Sequence, residues 1–222
     1  MVRDMASRRQ AGSGKLGRVN DPERTKANIL EVASRHFAEH GLSGARIDDI
    51  AEETNTSKRM VYYYFEGKEA LYEAVLERAY LEMRRIELEI DIPNMDPVDA
   101  LRQIVEFTFD HQHRNPWFAR LVAIENIHHG EHLKHIAGIR EHNGSVLEQL
   151  SKLLDLGTKK GVFRSGIDPV NLHWMISAFA VFNVVNEYTF SFLFPVMSSV
   201  SEVQDDRRSV AVDAVLRWCR PL

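Results

Sequence analysis

The tightest constraint on this chain lies in residues 46–65, where two short helical patterns are separated by only a few residues. Ile47, Ile50 and Ala51 recur as the inner face of a helix over 46–54. Asn55 follows at a sharp turn, a place that needs left-handed backbone, which asparagine tolerates. Ser57 then caps a helix over 58–65, with Val61 and Phe65 four apart and facing inward. Upstream, Asp21-Pro22-Glu23 combines a cap acceptor, a proline at the first helical position and an acid facing the positive helix end. Ile29, Leu30, Ala33 and Phe37 continue that helix, and Gly41 ends it. Three helices, the last two joined by a tight turn, spell a helix-turn-helix.

After Gly67 the pattern lengthens. Residues 68–89 read as one long helix with Leu71, Val75 and Ile86 on its inner side, stopped near Pro93. Further helices are expected over 96–113, 116–128, 132–160, 168–194 (opened by Asp168-Pro169) and 202–219. No stretch sustains the alternation of a strand, so the expected fold is all-α. Its parts are a tail over 1–20, a three-helix head over 21–67, and a larger helical domain over 68–222.

The tail carries five basic residues against one acidic and no apolar periodicity, so disorder is expected there. It reads either as a solvated tail or as an arm that embraces DNA. Net charge over the chain is −4, which suits a DNA binder poorly until it is divided by region. Residues 1–68 hold twelve Lys and Arg against ten Asp and Glu; the remainder holds sixteen against twenty-two. Because screening limits a surface charge to about 8–10 Å, the local balance governs, and it permits nucleic acid at the front. The most apolar run, 175–197, is interrupted by Asn183, Asn186, Glu187 and Pro195, which fits a buried or interface helix better than a membrane span. The start lacks a signal-peptide core, and the single Cys219 allows neither a disulfide framework nor a cysteine metal cluster. The expected compartment is the cytoplasm.

The segment Ile50-Ala51, Ser57-Lys58-Arg59-Met60-Val61-Tyr62-Tyr63-Tyr64-Phe65 and Gly67-Lys68-Glu69-Ala70-Leu71 resembles the TetR family of bacterial regulators over about residues 21–80. With Val61 and Phe65 inward, Lys58, Arg59, Tyr62 and Tyr63 are left facing out, as a helix in the major groove requires. Lys or Arg donate to guanine O6 and N7, and tyrosine hydroxyls reach phosphates. Thr56, Ser57 and Met60 share that surface. Lys68 is placed for a phosphate, as the resemblance implies. The plain alternative for the three tyrosines is core packing, strongest for Tyr64. Two positions depart from the family pattern: Ala45 stands where Thr is usual, so a hydroxyl is missing and Arg46 either substitutes for it or is solvated. Asn55 stands where Gly is usual.

The resemblance further implies a homodimer through the last two helices and an effector cavity in the larger domain. Phe179, Phe182, Val185 and Leu216 are more apolar than one protomer would show to water. Two heads would then read a palindromic operator. A ligand that favours a wider separation of the heads would weaken the grip, and a coupling of roughly 1–3 kcal/mol is enough. Most relatives repress, which makes repression the expected sense. Candidate cavity residues are Phe107, His111, Trp117, Leu121, Glu125, His128, Trp174, Phe179 and Asn183, the aromatics having ordinary core packing as their alternative. Glu125, amid Leu121-Val122-Ala123-Ile124, needs a partner if buried: a ligand amine or a neighbouring histidine.

His128, His132 and His135, with His111 and His113 earlier, raise a metal-responsive repressor as an alternative. Surface histidines explain them as well, since Gly130 interrupts the spacing. A small-molecule binder whose head serves a protein partner is a third reading, opposed by the basic helix 58–63. No Gly-rich phosphate loop, Gly-x-Ser-x-Gly elbow or His-Glu-x-x-His pair is present, so an enzyme is not expected and no cofactor is implied.

Overall fold

The computed structural model describes residues 21–87, 94–195 and 200–221. Among the described residues the chain forms ten α-helices and one 3₁₀ turn, with no strand. The tail over 1–20, the inner placement of Ile86, the stop near Pro93 and the end of the apolar run at Met197 lie outside what is described.

α1 (Pro22–Gly44) starts as its sequence dictates. Asp21 accepts the Arg24 amide at 3.2 Å, and Pro22 has no amide to satisfy. At Gly41 the backbone swings to φ 68°, ψ 176°, a region open essentially to glycine, so the regular helix breaks there before Ala45. α2 (Ile47–Glu53) follows, then Asn55 at φ 51° turns the chain into α3 (Lys58–Phe65). Ser57 caps α3 by accepting the Met60 amide at 3.2 Å. α2 has no side-chain cap, the consequence of Ala45-Arg46 at its start; Asp48 and Asp49 in its first turn offset the helix dipole instead.

α4 (Lys68–Glu87) leads into α5 (Pro97–Arg114) and α6 (Pro116–Ile127), then a 3₁₀ turn (His132–His135) and α7 (Ile139–Lys159). α8 (Pro169–Val185), α9 (Glu187–Leu193) and α10 (Val200–Cys219) complete the chain. Asp96 and Asp168 cap α5 and α8 by accepting the Val98 and Val170 amides at 3.0 and 2.8 Å. α5 packs against α8, α10 and α7, joining Leu101, Val105, Leu150, Leu172 and Val215 in the main core. A second core unites Ile29, Phe37, Ile50, Val61 and Phe65 of the head with Leu71, Tyr72 and Val75 of α4. Leu121 and Ile136 also belong to it, so the head is seated on α6 and the 3₁₀ turn as well as on α4.

Two expected helices are broken. The one over 132–160 divides because Gly138 takes φ 71°, leaving the 3₁₀ turn before it and α7 after it. The one over 168–194 divides at Asn186, whose side-chain amide donates back to the Phe182 carbonyl at 3.4 Å and competes with helix propagation. α9 leaves α8 at 70°. No single helix among the described residues is long and apolar enough to cross a membrane.

Candidate functional site

The outer face of α3 presents what the sequence reading expected. Val61 and Phe65 are buried, while Lys58, Arg59, Tyr62 and Tyr63 are exposed. Tyr63 is 75% exposed although its ring meets that of Tyr64 edge-on at 5.3 Å, an unusual openness for an aromatic side chain. Tyr64 is half-buried against the head core, which assigns it to packing. Met60 and Thr56 are half-buried at the edge of the face, and Ser57 and Arg46 are exposed. Ser57 Oγ is occupied as an acceptor by its cap bond, and its proton is left to donate. Lys58 Nζ lies 3.0 Å from Asp48 Oδ2, in a pair about half open to solvent on both sides. Such a pair is worth about 0–1 kcal/mol and yields readily to a phosphate. Lys68 Nζ donates to the Ser43 carbonyl at 3.1 Å, which ties the start of α4 to the end of α1.

The nine expected cavity residues do not converge; they divide among three places. On α6, Leu121 is fully buried in the core shared with the head, and Trp117 packs beside it. Both pack in that shared core. Glu125 is 2% exposed and finds its partner within the chain. It accepts the His132 and Leu133 amides at 2.8 and 3.3 Å and faces His132 Nδ1 at 3.0 Å. No ligand amine is needed to explain it. His128 stacks edge-on against His132, with ring centroids 5.7 Å apart.

A second group, Trp174, Phe179 and Asn183, lines an open apolar cleft of about 560 Å³ between α8, α9 and α10. Asn183 is spent on internal bonds: it donates to Gln204 at 2.6 Å and accepts from Arg207 at 2.9 Å. Arg207 also lies over the Phe190 ring, 5.3 Å from its centroid.

The third place is the body's interior, where Phe107 and His111 sit with ring centroids 5.8 Å apart. Burial lowers the His111 pKa and keeps its imidazole neutral. Nearby is an ion pair that the sequence reading missed: Arg84 Nη1 to Glu87 Oε2 at 2.6 Å, with both side chains about nine-tenths buried. His173 Nε2 lies 3.5 Å from the same guanidinium nitrogen. Burial raises the Glu87 carboxyl to about 7 and drops His173 to about 4, the positive guanidinium adding to the latter shift. The sequence does carry a signal. The buried positions Val75, Ala79 and Met83 step by four onto Glu87, and Leu76 and Tyr80 step by four onto Arg84.

The histidines do not assemble a metal site. His132 is engaged by Glu125, and His135 Nδ1 lies 2.7 Å from Glu73. Among the described residues no three His, Cys, Asp or Glu side chains are grouped so as to hold an ion.

Comparison with known proteins agrees with this layout. Residues 29–75 match the family described as bacterial regulatory proteins, tetR family, and residues 97–215 match the tetracyclin repressor-like C-terminal domain. The HTH-type transcriptional repressor NicS of Pseudomonas putida is 32% identical over 203 residues, spanning 91% of this chain and 96% of its own. The HTH-type transcriptional repressor SCO4008 of Streptomyces coelicolor is 34% identical over 168 residues, 75% of this chain and 82% of its own. The crystal structure of the transcriptional regulator SCO4942, also from Streptomyces coelicolor, superposes with a TM-score of 0.65 at 30% identity, covering 89% and 99% of the two chains. These relatives and domains are regulators rather than enzymes, and both halves of the molecule are matched: this chain belongs to the TetR family of bacterial transcriptional regulators.

Proposed function

We propose that this protein is a cytoplasmic repressor that binds a palindromic operator as a homodimer and releases it when a small molecule occupies the helical body. The observation that carries the reading is the outer face of α3. Two cations and two tyrosines project from a capped eight-residue helix and are exposed among the described residues. In this reading Lys58 and Arg59 read base edges, while Tyr62, Tyr63, Thr56, Ser57, Arg46 and Lys68 hold the backbone and Met60 packs at the rim. The DNA head is residues 21–67, and the sensing and dimerising domain is 68–222.

Dimerisation is supported by the bare apolar surface of α8 and α10. Trp174, Phe182 and Val210 are 70%, 55% and 62% exposed around the open cleft, more than a monomer retains without purpose. The cleft is read here as half of that interface. α4 supplies the link between ligand and DNA, because Leu71 and Tyr72 at one end lie in the head core and Arg84 and Glu87 at the other lie in the body. The relatives named repressors favour repression as the sense of regulation.

The test is fluorescence anisotropy on the DNA upstream of the protein's own gene. Arg59→Ala or Lys58→Ala weakens specific binding by about 1–3 kcal/mol if the side chain reads a base, whereas Lys68→Ala weakens all sequences alike and flattens the salt slope. Unchanged affinity in all three variants overturns the contact assignment. Size-exclusion chromatography with light scattering checks the dimer, which Trp174→Glu with Phe182→Glu should dissociate.

A further inference from the structure

Buried polar residues are few among the described residues, and half of them are spoken for. Ser34 and Thr54 donate to backbone carbonyls one turn back, Glu125 is held by His132, and Asn183 by Gln204 and Arg207. The remaining four, Arg84, Glu87, Thr108 and Gln112, lie on α4 and α5 around the ion pair. Arg84 Nε, Gln112 Oε1 and the neighbouring His111 Nδ1 are buried without any hydrogen-bond partner. Native interiors avoid such orphans unless something else satisfies them. Between α4, α5, α7 and α8 there is a void of about 20 Å³ lined by Glu87, Thr108, Gln149 and His173 with Ile104 and Ile176. It has room for about one water, so a larger guest must push α4 away from α5 and α8.

The charges in this cluster are not equivalent. Arg84 cannot shed its proton at any physiological pH. His111 and His173 are held neutral by burial, and Glu87 can become neutral by taking up one proton near pH 7. Among the described residues of the buried cluster the charge that persists is therefore Arg84, and its Nε keeps an unused donor. An amine arriving here would face a guanidinium that cannot be neutralised. An acid would face a carboxylate that can.

We infer that the effector of this repressor is a small carboxylic acid, seated on Arg84 between α4, α5 and α8, and that its arrival displaces Glu87 from the guanidinium. The inference rests on the reading of the chain as an effector-released repressor. The ligand carboxylate makes a bidentate pair with the guanidinium in place of the single Nη1 contact that Glu87 now makes, and its apolar part lies against Ile104 and Ile176. Because Arg84 and Glu87 stand on the helix whose first turns complete the head core, their separation is felt at α3.

Binding then takes up a proton. Arg84 faces Glu87 directly, with Tyr80 acting on Arg84 from the same helix; α5 contributes Thr108, and His111, which feels Glu82 and Arg84. α7 contributes the neutral Gln149 and α8 contributes His173. Burial disfavours the charged form of His111 and His173, and Glu87 is the group raised to about 7. Affinity for an acid falls as pH rises through about 7, approaching tenfold per unit above it.

The experiment uses matched probes at millimolar concentration: benzoate, benzamide and benzylamine, and hexanoate, hexanamide and hexylamine. Thermal shift and operator anisotropy are read on the full chain. The acids are expected to raise Tm and release DNA, with the amides and amines at least tenfold weaker. Arg84→Met alone risks unfolding, so the paired variant Arg84→Met/Glu87→Met is used, its fold checked by circular dichroism; it should lose the acid-induced Tm shift. Glu87→Gln should still respond to acids, with affinity flat from pH 6 to 8. An amine or amide matching its acid, an acid shift surviving in the paired variant, or no response to either acid overturns the inference. If the protein binds its upstream DNA and only a neutral or cationic compound releases it, the inference fails and the repressor reading stands. If it binds no DNA under any condition, the repressor reading falls, whatever the Tm shifts.

Discussion

The head and the body are equally helical, yet they keep their polar chemistry in opposite places. In the head, Ile29, Phe37, Ile50, Val61 and Phe65 fill the interior, and Arg46, Lys58, Arg59, Tyr62 and Tyr63 all point outward. In the body the exposed faces of α8 and α10 are apolar, and an arginine, a glutamate and two neutral histidines are enclosed. A surface that meets DNA needs charge in water. A cavity that meets a small molecule needs charge out of water, where each interaction is stronger and each unpaired group costs more.

That contrast is sharpest at Arg84. Its replacement by Met strands Glu87 in the interior, and a broken buried pair of this kind costs about 3–5 kcal/mol. The paired Met/Met variant removes both charges and should recover most of that loss. By contrast, Arg59→Ala on the head should leave folding stability within about 0.5 kcal/mol, because it contacts nothing buried. Urea denaturation at fixed protein concentration reads all three. An Arg84→Met protein as stable as the wild type would show that the body tolerates a lone buried charge, and the contrast would fail.

Away from that cluster the body is closely packed, and Gly157 tests it. A Cβ placed there would sit 1.9 Å from Cδ2 of the Phe163 ring, which is itself 3% exposed. Ala is ordinarily the better helix former by about 0.8–1.0 kcal/mol. Here the ring has to move, and Gly157→Ala should destabilise by about 1–3 kcal/mol instead. Stabilisation would mean that the body is loosely packed throughout, and the polar cluster would lose its distinction.

The head was legible because its rules are short-ranged. Asp21, Pro22, Gly41, Asn55 and Ser57 each act within four residues, and each does in the structure what its chemistry requires. The body was read less well because its decisive features are long-ranged or subtle. Glu125 was rightly singled out as needing a partner, but His132 lies seven residues away across a turn opened by His129 and Gly130 in left-handed backbone. Trp174, Phe179 and Asn183 recur at helical spacing with the other candidates, yet their face turns toward α10 and not toward α6. Arg84 and Glu87 were passed over because charges near a helix end are ordinarily solvated; only their continuation of the Val75–Ala79–Met83 and Leu76–Tyr80 steps marks them as buried. Asn186 and Gly138 broke two helices that apolar content alone would have carried on.

A smaller effect separates the two regions at the level of one hydrogen bond. Ser57 caps α3 and also stands on the exposed face proposed to meet DNA. Ser57→Ala removes the cap and should cost about 1 kcal/mol of stability. If the hydroxyl donates to a phosphate, as proposed, the same change should weaken DNA binding for every sequence. Ser57→Gly costs only a few tenths of a kcal/mol as a cap, yet removes the same hydroxyl, so it isolates the contact from the fold. Equal DNA affinity for the Gly variant and wild type would make Ser57 a structural residue alone.

The last signal is one that the wild type conceals. Glu87 is raised in the folded state from 4.5 to about 7, so the folded chain holds its proton more tightly, and stability gained at low pH is lost as pH rises from about 4.5 to 7. His173 is lowered from 6.5 to about 4, so the folded chain resists its proton, and stability is lost as pH falls from about 6.5 to 4. The two slopes oppose each other across nearly the same window, and their contribution in the wild type should be nearly flat there. Glu87→Gln removes one slope, so its Tm should fall steadily relative to wild type as pH drops from 6.5 to 4. His173→Gln removes the other, so its Tm should rise over the same range. If both variants track the wild type, neither group is held in its shifted state by the interior, and the enclosed charge that distinguishes the body from the head is already open to water.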